Sequence, residues 1–271
     1  MVDIFFYIII FLLGIAVGSF VNVLVDRLPN GQSIWRGRSH CDVCKKTLAW
    51  YDLIPIFSFA LLGAKCRYCH SPLSWQYPTV ELLTGILFVG TGYLVVGPDF
   101  QTIVLHGEMV TLYRLLYSLL LASALFAILV TDVKYYLIPD RILLVILLVT
   151  LVYSSVYIPS DNWLIFVISA FGAFAFFGLI FILTRGRGMG FGDVKLSFVM
   201  GLLLGFPNIV VALYVAFLTG AVVSTILVLG GKRKFFGGTI PFGPFLVLGT
   251  YCSFFWGDQI VTEAIRLLLV K

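Results

Sequence analysis

The chain has 271 residues, of which 61% are hydrophobic and only 11% are charged, and its formal net charge at pH 7 is +5. Soluble domains carry about 25% charged residues, so this chain has too few charges to cover a water-soluble surface. The composition excludes cytosolic, secreted and disordered proteins and predicts an all-α polytopic membrane protein. Nucleic-acid binding is not expected, because no basic patch is backed by a soluble fold.

Apolar stretches that are suited to membrane helices recur along the whole chain. With about 20 residues per span, we predict about eight transmembrane helices, with both termini outside, at Ile4–Val25, Thr79–Gly97, Leu112–Thr131, Ile142–Ile158, Trp163–Thr184, Leu196–Phe206, Ile209–Gly230 and Phe242–Trp256. The sixth stretch has only about 11 residues, below the usual spanning length. We count it as a crossing because Lys232, Arg233 and Lys234 then lie on the same side as the other basic loops.

The basic residues identify the cytoplasmic side of the membrane. Those of the loop between the first two spans are Arg27, Arg36, Arg38, Lys45, Lys46, Lys65 and Arg67. By the positive-inside rule, this loop faces the cytosol. The following loop, near Pro98–Val110, contains Asp99 and Glu108 but no Lys or Arg, so we place it outside.

Two CxxC pairs lie in the first cytoplasmic loop. The four residues are Cys41, Cys44, Cys66 and Cys69. Paired thiolates at this spacing are typical of a structural four-cysteine Zn²⁺ site. Two disulfides are the alternative, but they require an oxidising compartment. His40 and His70 flank the cysteines and are expected to be supporting or solvated, and the apolar segment Trp50–Pro55 indicates a loop that lies on the membrane.

Two aspartates are the ionisable residues that most need a chemical explanation. Asp132 ends the third span, and Asp193 follows Gly190 and Gly192 just after the fifth. The topology places both at the cytoplasmic edge of the membrane. Two carboxyl groups that share one proton can activate water and protonate a substrate, which is the chemistry of an aspartic protease. The glycines permit unusual backbone angles and close approach of an extended substrate.

Other interpretations of the polar residues stay open. An Asp-x-Lys just past a span is also typical of an interfacial flank. Proton sites of an ion-coupled transporter are another possibility, although such sites tend to lie near the bilayer midplane. Glu81 falls in the first turn of the second span, where it is either a helix cap or a functional acid. In the first span, Gly14 and Gly18 favour close helix packing, and Asn22 can donate a hydrogen bond within the bundle.

These motifs together resemble the prepilin peptidase family, also called type IV leader peptidases. The resemblance covers most of the chain and rests on Gly18–Asn22 with Arg27–Pro29, the two CxxC pairs with Leu53–Pro55 and Gly63, Tyr77–Pro78 with Glu81, Asp132 with Ile138–Asp140, Gly190–Lys195, and Ile240–Phe245.

The resemblance implies a bifunctional enzyme in the bacterial cytoplasmic membrane. Asp132 and Asp193 would cleave the short basic leader from prepilins or pseudopilins at the cytoplasmic face. The new N-terminal residue would then be methylated with S-adenosylmethionine, and Glu81 is the candidate group for that step. We expect residues 1–97 to serve methyl transfer and residues 98–271 to form a six-helix peptidase domain. A peptidase without methyl transfer and a non-catalytic zinc scaffold are the alternatives.

Overall fold

The structure, a computed structural model, describes residues 2–97, 109–157, 159, 162–230 and 240–269. Its helices are α1 (Val2–Arg27), α2 (Phe57–Leu61), α3 (Gln76–Val96), α4 (Met109–Tyr135), α5 (Asp140–Tyr157), α6 (Trp163–Leu183), α7 (Phe191–Leu204), α8 (Asn208–Leu229) and α9 (Gly243–Leu269), with a 3-10 helix at Trp50–Leu53. Extended pairing within these ranges is limited to two isolated β-bridges, His40–Thr47 and Lys65–Pro72. The all-α prediction is therefore confirmed.

Six helices of the described ranges are long and apolar enough to cross a membrane, namely α1, α3, α4, α5, α6 and α8. The chain is thus a multi-pass membrane protein. Helices α7 and α9 coincide with the two remaining predicted crossings but do not meet that standard, so the count of eight stays a prediction. Asp99, Glu108 and the basic residues at 232–234, on which part of the predicted orientation depends, lie outside the described residues.

Met1–Ala127 forms one compact unit, in which α1 and α3 pack along each other. A Cβ added to Gly14 would lie 2.8 Å from Cα of Gly85, and one added to Gly18 would lie 2.7 Å from Cα of Glu81. Any side chain at these two positions would push the helices apart, so the predicted packing through Gly14 and Gly18 is confirmed. The apolar core of this unit contains Ile10, Phe88, Leu115 and Leu119.

Ile128–Lys271 forms the second compact unit, and the short helix α7 lies inside it. Helices α5, α6, α8 and α9 all contact α7. Most side chains of α7 are buried, from Asp193 and Val194 at its start to Leu204 at its end. Because α7 is surrounded by other helices, its first turn is held in a fixed place within the unit.

Candidate functional site

The four loop cysteines come together as the sequence predicts. Their Sγ atoms all lie within 4.8 Å of one another, and Sγ of Cys41 is 3.8 Å from Sγ of Cys69. A tetrahedral ion with metal–sulfur bonds of about 2.3 Å separates its sulfurs by roughly 3.8 Å. All four cysteines are free, so the disulfide alternative is not what the structure shows. The cluster therefore fits a metal ion of the tetrahedral, sulfur-liganded kind.

Each CxxC pair is held by the same backbone pattern. The N–H of Lys45 donates to the carbonyl of Cys41 at 2.9 Å, and the N–H of His70 donates to the carbonyl of Cys66 at 3.0 Å. Lys45 and His70 both have positive φ, at 56° and 57°. This sharp turn brings the two sulfurs of each pair to the same side. His70 thus occupies a turn position rather than a ligand position.

The thiols of the cluster differ in how readily they ionise. Despite a hydrogen bond from the backbone of Lys46, burial and the thiols of Cys69 and Cys41 raise the pKa of the Cys44 thiol to about 11. Hydrogen bonding from the backbone of Cys44 lowers the pKa of the Cys41 thiol to about 6. The Ser71 hydroxyl lies 3.1 Å from Sγ of Cys69 and lowers the pKa of that thiol as well. Metals bind the thiolate form, so Cys41 and Cys69 are the thiols that ionise most readily for a cation.

Glu81 lies inside the first unit and does not cap its own helix. It is the sixth residue of α3, past the first turn, so the capping interpretation is wrong. Its Oε2 accepts a 2.7 Å hydrogen bond from the backbone N–H of Ile56, and its carboxyl group is also hydrogen-bonded by the Ser19 side chain. With only 7% of its surface exposed, Glu81 is a buried acid with specific partners. Its surroundings are therefore those of a buried, hydrogen-bonded acid rather than of a surface cap.

Asn22 joins the ends of α1 and α3 close to this acid. Its Nδ2 donates to the carbonyl of Tyr77 at 3.1 Å, and its Oδ1 accepts from Nε2 of Gln76 at 3.4 Å. The predicted hydrogen bond from Asn22 is therefore confirmed. These bonds fix the first turn of α3, and Glu81 lies on the next turn of the same helix.

Asp132 is buried in the second unit, near the cytoplasmic end predicted for α4. Only 6% of the surface of Asp132 is exposed. Its Oδ2 accepts the backbone N–H of Gly243 at 2.9 Å. Gly243 is the first residue of α9, so this N–H is one of those that a helix leaves without a partner at its start. Asp132 thus lies at the positive end of the α9 dipole.

Asp193 has a similar environment on its own helix. It is the third residue of α7, and its Oδ2 accepts the N–H of Gly190 at 3.1 Å. Asp193 is 7% exposed. The carboxyl groups of Asp132 and Asp193 interact electrostatically. The structure therefore brings together the two acids that the sequence singles out.

Two further contacts hold the start of α7 against the residues that precede and begin α5. A Cβ added to Gly192 would lie 3.1 Å from Cβ of Ile138, and Nζ of Lys195 lies 2.7 Å from Oδ1 of Asp140. Gly190 has φ −76° and ψ 149°, which is ordinary extended backbone, so the expected unusual backbone angle is wrong at this position. Gly192 instead gives room for Ile138.

Three contributors to these sites were not assigned roles from the sequence. They are the N–H of Gly243, the N–H of Ile56 and the side chain of Asp52, which is buried against Arg67. Backbone donors carry no residue-type signal. Asp52 gave a signal, since an acid inside the apolar segment Trp50–Pro55 needs a partner if it is buried.

Two family models match separate parts of the chain. Residues 12–95 match the Bacterial Peptidase A24 N-terminal domain, and residues 118–225 match the Type IV leader peptidase family. The first match contains the cysteine cluster and Glu81, and the second contains Asp132 and Asp193. No solved structure matches the chain significantly.

Curated relatives match over almost their full length. A protein from Bacillus subtilis is 33% identical over 264 residues, which is 96% of this chain and 98% of the relative. One from Xanthomonas campestris is 31% identical, covering 94% and 92% of the two chains. One from Legionella pneumophila is 30% identical, covering 95% and 93%. All three are named prepilin leader peptidase/N-methyltransferase.

Proposed function

The chain belongs to the type IV leader peptidase family, and from this premise we propose that it removes the leader of type IV prepilins or pseudopilins and N-methylates the new N-terminal residue. The relatives named for both activities match nearly the whole chain. One observation carries the peptidase half of the proposal. Two buried aspartates interact, and a backbone N–H from the start of a helix holds each of them.

Asp132 and Asp193 are the proposed catalytic pair. A peptide bond is hydrolysed when one ionised carboxylate takes a proton from water while the other, protonated, carboxyl group donates to the scissile carbonyl. The two N–H bonds fix one oxygen of each aspartate, at Gly243 and at Gly190, which orients the pair for this exchange. No serine, cysteine or histidine is needed as a nucleophile. Gly190 and Gly192 form the proposed approach for an extended substrate.

The methyl-transfer half is proposed for the first unit, within residues 1–97, and the peptidase half for residues 98–271. S-adenosylmethionine would supply the methyl group. A new N-terminus is an ammonium ion and must lose a proton before its nitrogen can accept a methyl group. Glu81 is the proposed acceptor of that proton, because it is a buried carboxylate held by Ile56 and Ser19. Zn²⁺ is the proposed metal of the cysteine cluster, because four thiolates at tetrahedral spacing suit it best.

We propose a bacterial cytoplasmic membrane location, with the cysteine loop and both aspartates facing the cytosol. Positive-inside counting supports this orientation through the basic residues of the loop between α1 and α3. The leader of the proposed substrate is short and basic, and it would remain on the cytosolic side when its apolar segment enters the bilayer.

The test is a synthetic prepilin peptide incubated with the purified protein and S-adenosylmethionine, with mass spectrometry of the products. We expect loss of the leader and a gain of one methyl group. Changing either aspartate, as Asp132→Asn or Asp193→Asn, should lower cleavage by about 100- to 10,000-fold. Methylation of a peptide supplied without its leader should persist in both variants.

Glu263→Gln is the matched control, since its side chain is 65% exposed and pairs across the helix surface with Arg266. It should cleave at the wild-type rate. Cleavage that survives either aspartate change would reject the catalytic pair. Cleavage without methylation would leave a peptidase alone, and proton flux in proteoliposomes without cleavage would identify a transporter instead.

A further inference from the structure

An ion pair between a buried carboxylate and a partly exposed guanidinium connects the cysteine cluster to the segment that contacts Glu81. Arg67 lies between Cys66 and Cys69, and its Nε is 2.6 Å from Oδ1 of Asp52. The Asp52 side chain is only 2% exposed, whereas that of Arg67 is 43% exposed. A buried carboxylate that loses its cation is strongly disfavoured. The position of Asp52 therefore depends on where the second CxxC pair holds Arg67.

Asp52 also restrains the 3-10 helix in which it lies. Its Oδ2 accepts the N–H of Ala49 at 3.2 Å, which fixes the 3-10 helix Trp50–Leu53. The guanidinium of Arg67 also lies over the ring of Tyr51, 4.9 Å from its centroid. Both residues of the pair thus make contacts that restrain the same short helix.

The chain that follows this 3-10 helix leads to Ile56, a strained residue whose backbone contacts Glu81. Ile56 has φ 60° and ψ −49°, a conformation that a β-branched side chain disfavours. Such an angle persists only when surrounding contacts impose it. Its N–H donates to Oε2 of Glu81 at 2.7 Å, and the N–H of Ser58 donates to the carbonyl of Ile54 at 3.0 Å.

We propose that Arg67 and Asp52 are positioning residues that hold the N–H of Ile56 against Glu81, so that the folded cysteine loop sets the geometry of the methyl-transfer acid. The two residues do not touch the reacting atoms. They act through the 3-10 helix, which cannot keep Ile56 in its strained conformation once Asp52 is released. The methyl-transfer part of this inference rests on the proposed function of Glu81, whereas the hydrogen bond at Ile56 can be measured without any activity.

The experiment uses the full chain in detergent micelles and follows hydrogen–deuterium exchange in peptides that contain Ile56. The variants are Arg67→Gln and Asp52→Asn, and Arg36→Gln is the control because it removes another exposed basic residue of the same loop. We expect both variants to exchange at Ile56 at least about 10-fold faster than wild type, while metal content per chain stays unchanged. Arg36→Gln should exchange like wild type.

Kinetics on a peptide supplied without its leader give the second readout. Both variants should lower kcat for methylation by about 10-fold with little change in KM, since a displaced Glu81 affects proton removal rather than binding. The double variant should be no worse than the more impaired single variant, because both changes break one pair. Arg67→Lys should recover part of the loss by keeping the charge. Leader cleavage should be unchanged throughout, which also reports that the variants fold.

A chelator provides a test without mutation. Removing the metal from the wild-type chain should speed exchange at Ile56 as the variants do, and adding Zn²⁺ back should reverse the change. If Arg67→Gln and Asp52→Asn keep their metal, cleave normally and still exchange at Ile56 at the wild-type rate, the proposal is wrong. If the wild-type chain does not methylate at all, the proposed function fails while the exchange data still decide whether Arg67 and Asp52 position Ile56.

Discussion

The backbone N–H of Gly243 donates to Oδ2 of Asp132, and the two residues are 111 positions apart in the chain. The bond joins the end of α4 to the start of α9. Because the donor is an otherwise unpaired N–H at a helix start, it favours negative charge on Asp132. The motif Ile240–Phe245, which had no assigned role in the sequence, thereby contributes a donor to the proposed peptidase site.

Gly243→Ala should therefore impair cleavage although no catalytic side chain is changed. A Cβ at this position would lie 2.5 Å from Oδ2 of Asp132, so the carboxyl group must move. A displacement of about 1 Å can cost about 100-fold in rate, and we expect a loss of about 10- to 100-fold in kcat for cleavage. Gly172→Ala in α6 is the control, because nothing lies within 4 Å of the added Cβ. Equal rates for the two variants would contradict this role for Gly243.

Glu81→Gln should separate the two activities. The amide keeps the size of the carboxyl group and can still accept the Ile56 N–H, but it cannot take a proton from the substrate ammonium. Methylation should fall by at least about 100-fold, and leader cleavage should remain at the wild-type rate. Mass spectrometry of the product N-terminus distinguishes the two steps. Loss of cleavage in this variant would show that Glu81 supports the fold of the chain rather than methyl transfer.

Cys66→Ser should remove the metal and loosen the first loop. Cys66 is 2% exposed, and its carbonyl and N–H also hold the second turn through His70 and Ser71. Structural Zn²⁺ contributes folding energy directly, so the loop should become sensitive to protease. Elemental analysis and limited proteolysis measure the two effects. Cys252→Ser, in α9 and outside the cluster, should keep its metal; metal retained by Cys66→Ser would reject the four-cysteine site.

Asp140→Asn should have only a small effect on thermal stability, because Asp140 is exposed whereas Asp193 is buried. The Asp140 side chain is 70% exposed and that of its partner Lys195 is 37% exposed. Ion pairs of this kind contribute about 0.2–1 kcal/mol and weaken with salt. Thermal unfolding in detergent should show a shift of a few degrees at low salt that disappears at high salt. A large shift at high salt would mean that the pair does more than stabilise the surface.

The parts of the site that sequence predicts well are those set by residue type and short spacing. The two CxxC pairs imply a cluster because each turn brings its own sulfurs together, and Gly14 and Gly18 imply a close helix contact because only small residues permit one. Asp132 and Asp193 stand out because charged groups are rare in this chain.

The parts that sequence misses depend on distant backbone or on where a helix starts. The N–H of Gly243 has no signature, since every residue except proline has the same donor. Glu81 would lie in the first turn if α3 began at Thr79, as predicted from the sequence. The helix instead begins at Gln76, because Pro78 is tolerated within a first turn where its missing N–H is not needed. The ion pair of the buried Asp52 with Arg67 likewise depends on the folded loop.

The length of α7 has a consequence for how the protein is made. Its 14 residues span about 21 Å at the usual helical rise, less than the roughly 30 Å of a bilayer core. Such a segment is too short to span the core by itself, so its place in the second unit depends on packing against α5, α6, α8 and α9. We therefore expect Asp193 to reach its place only after these helices have packed, which would delay completion of the proposed acid pair until the second unit has folded.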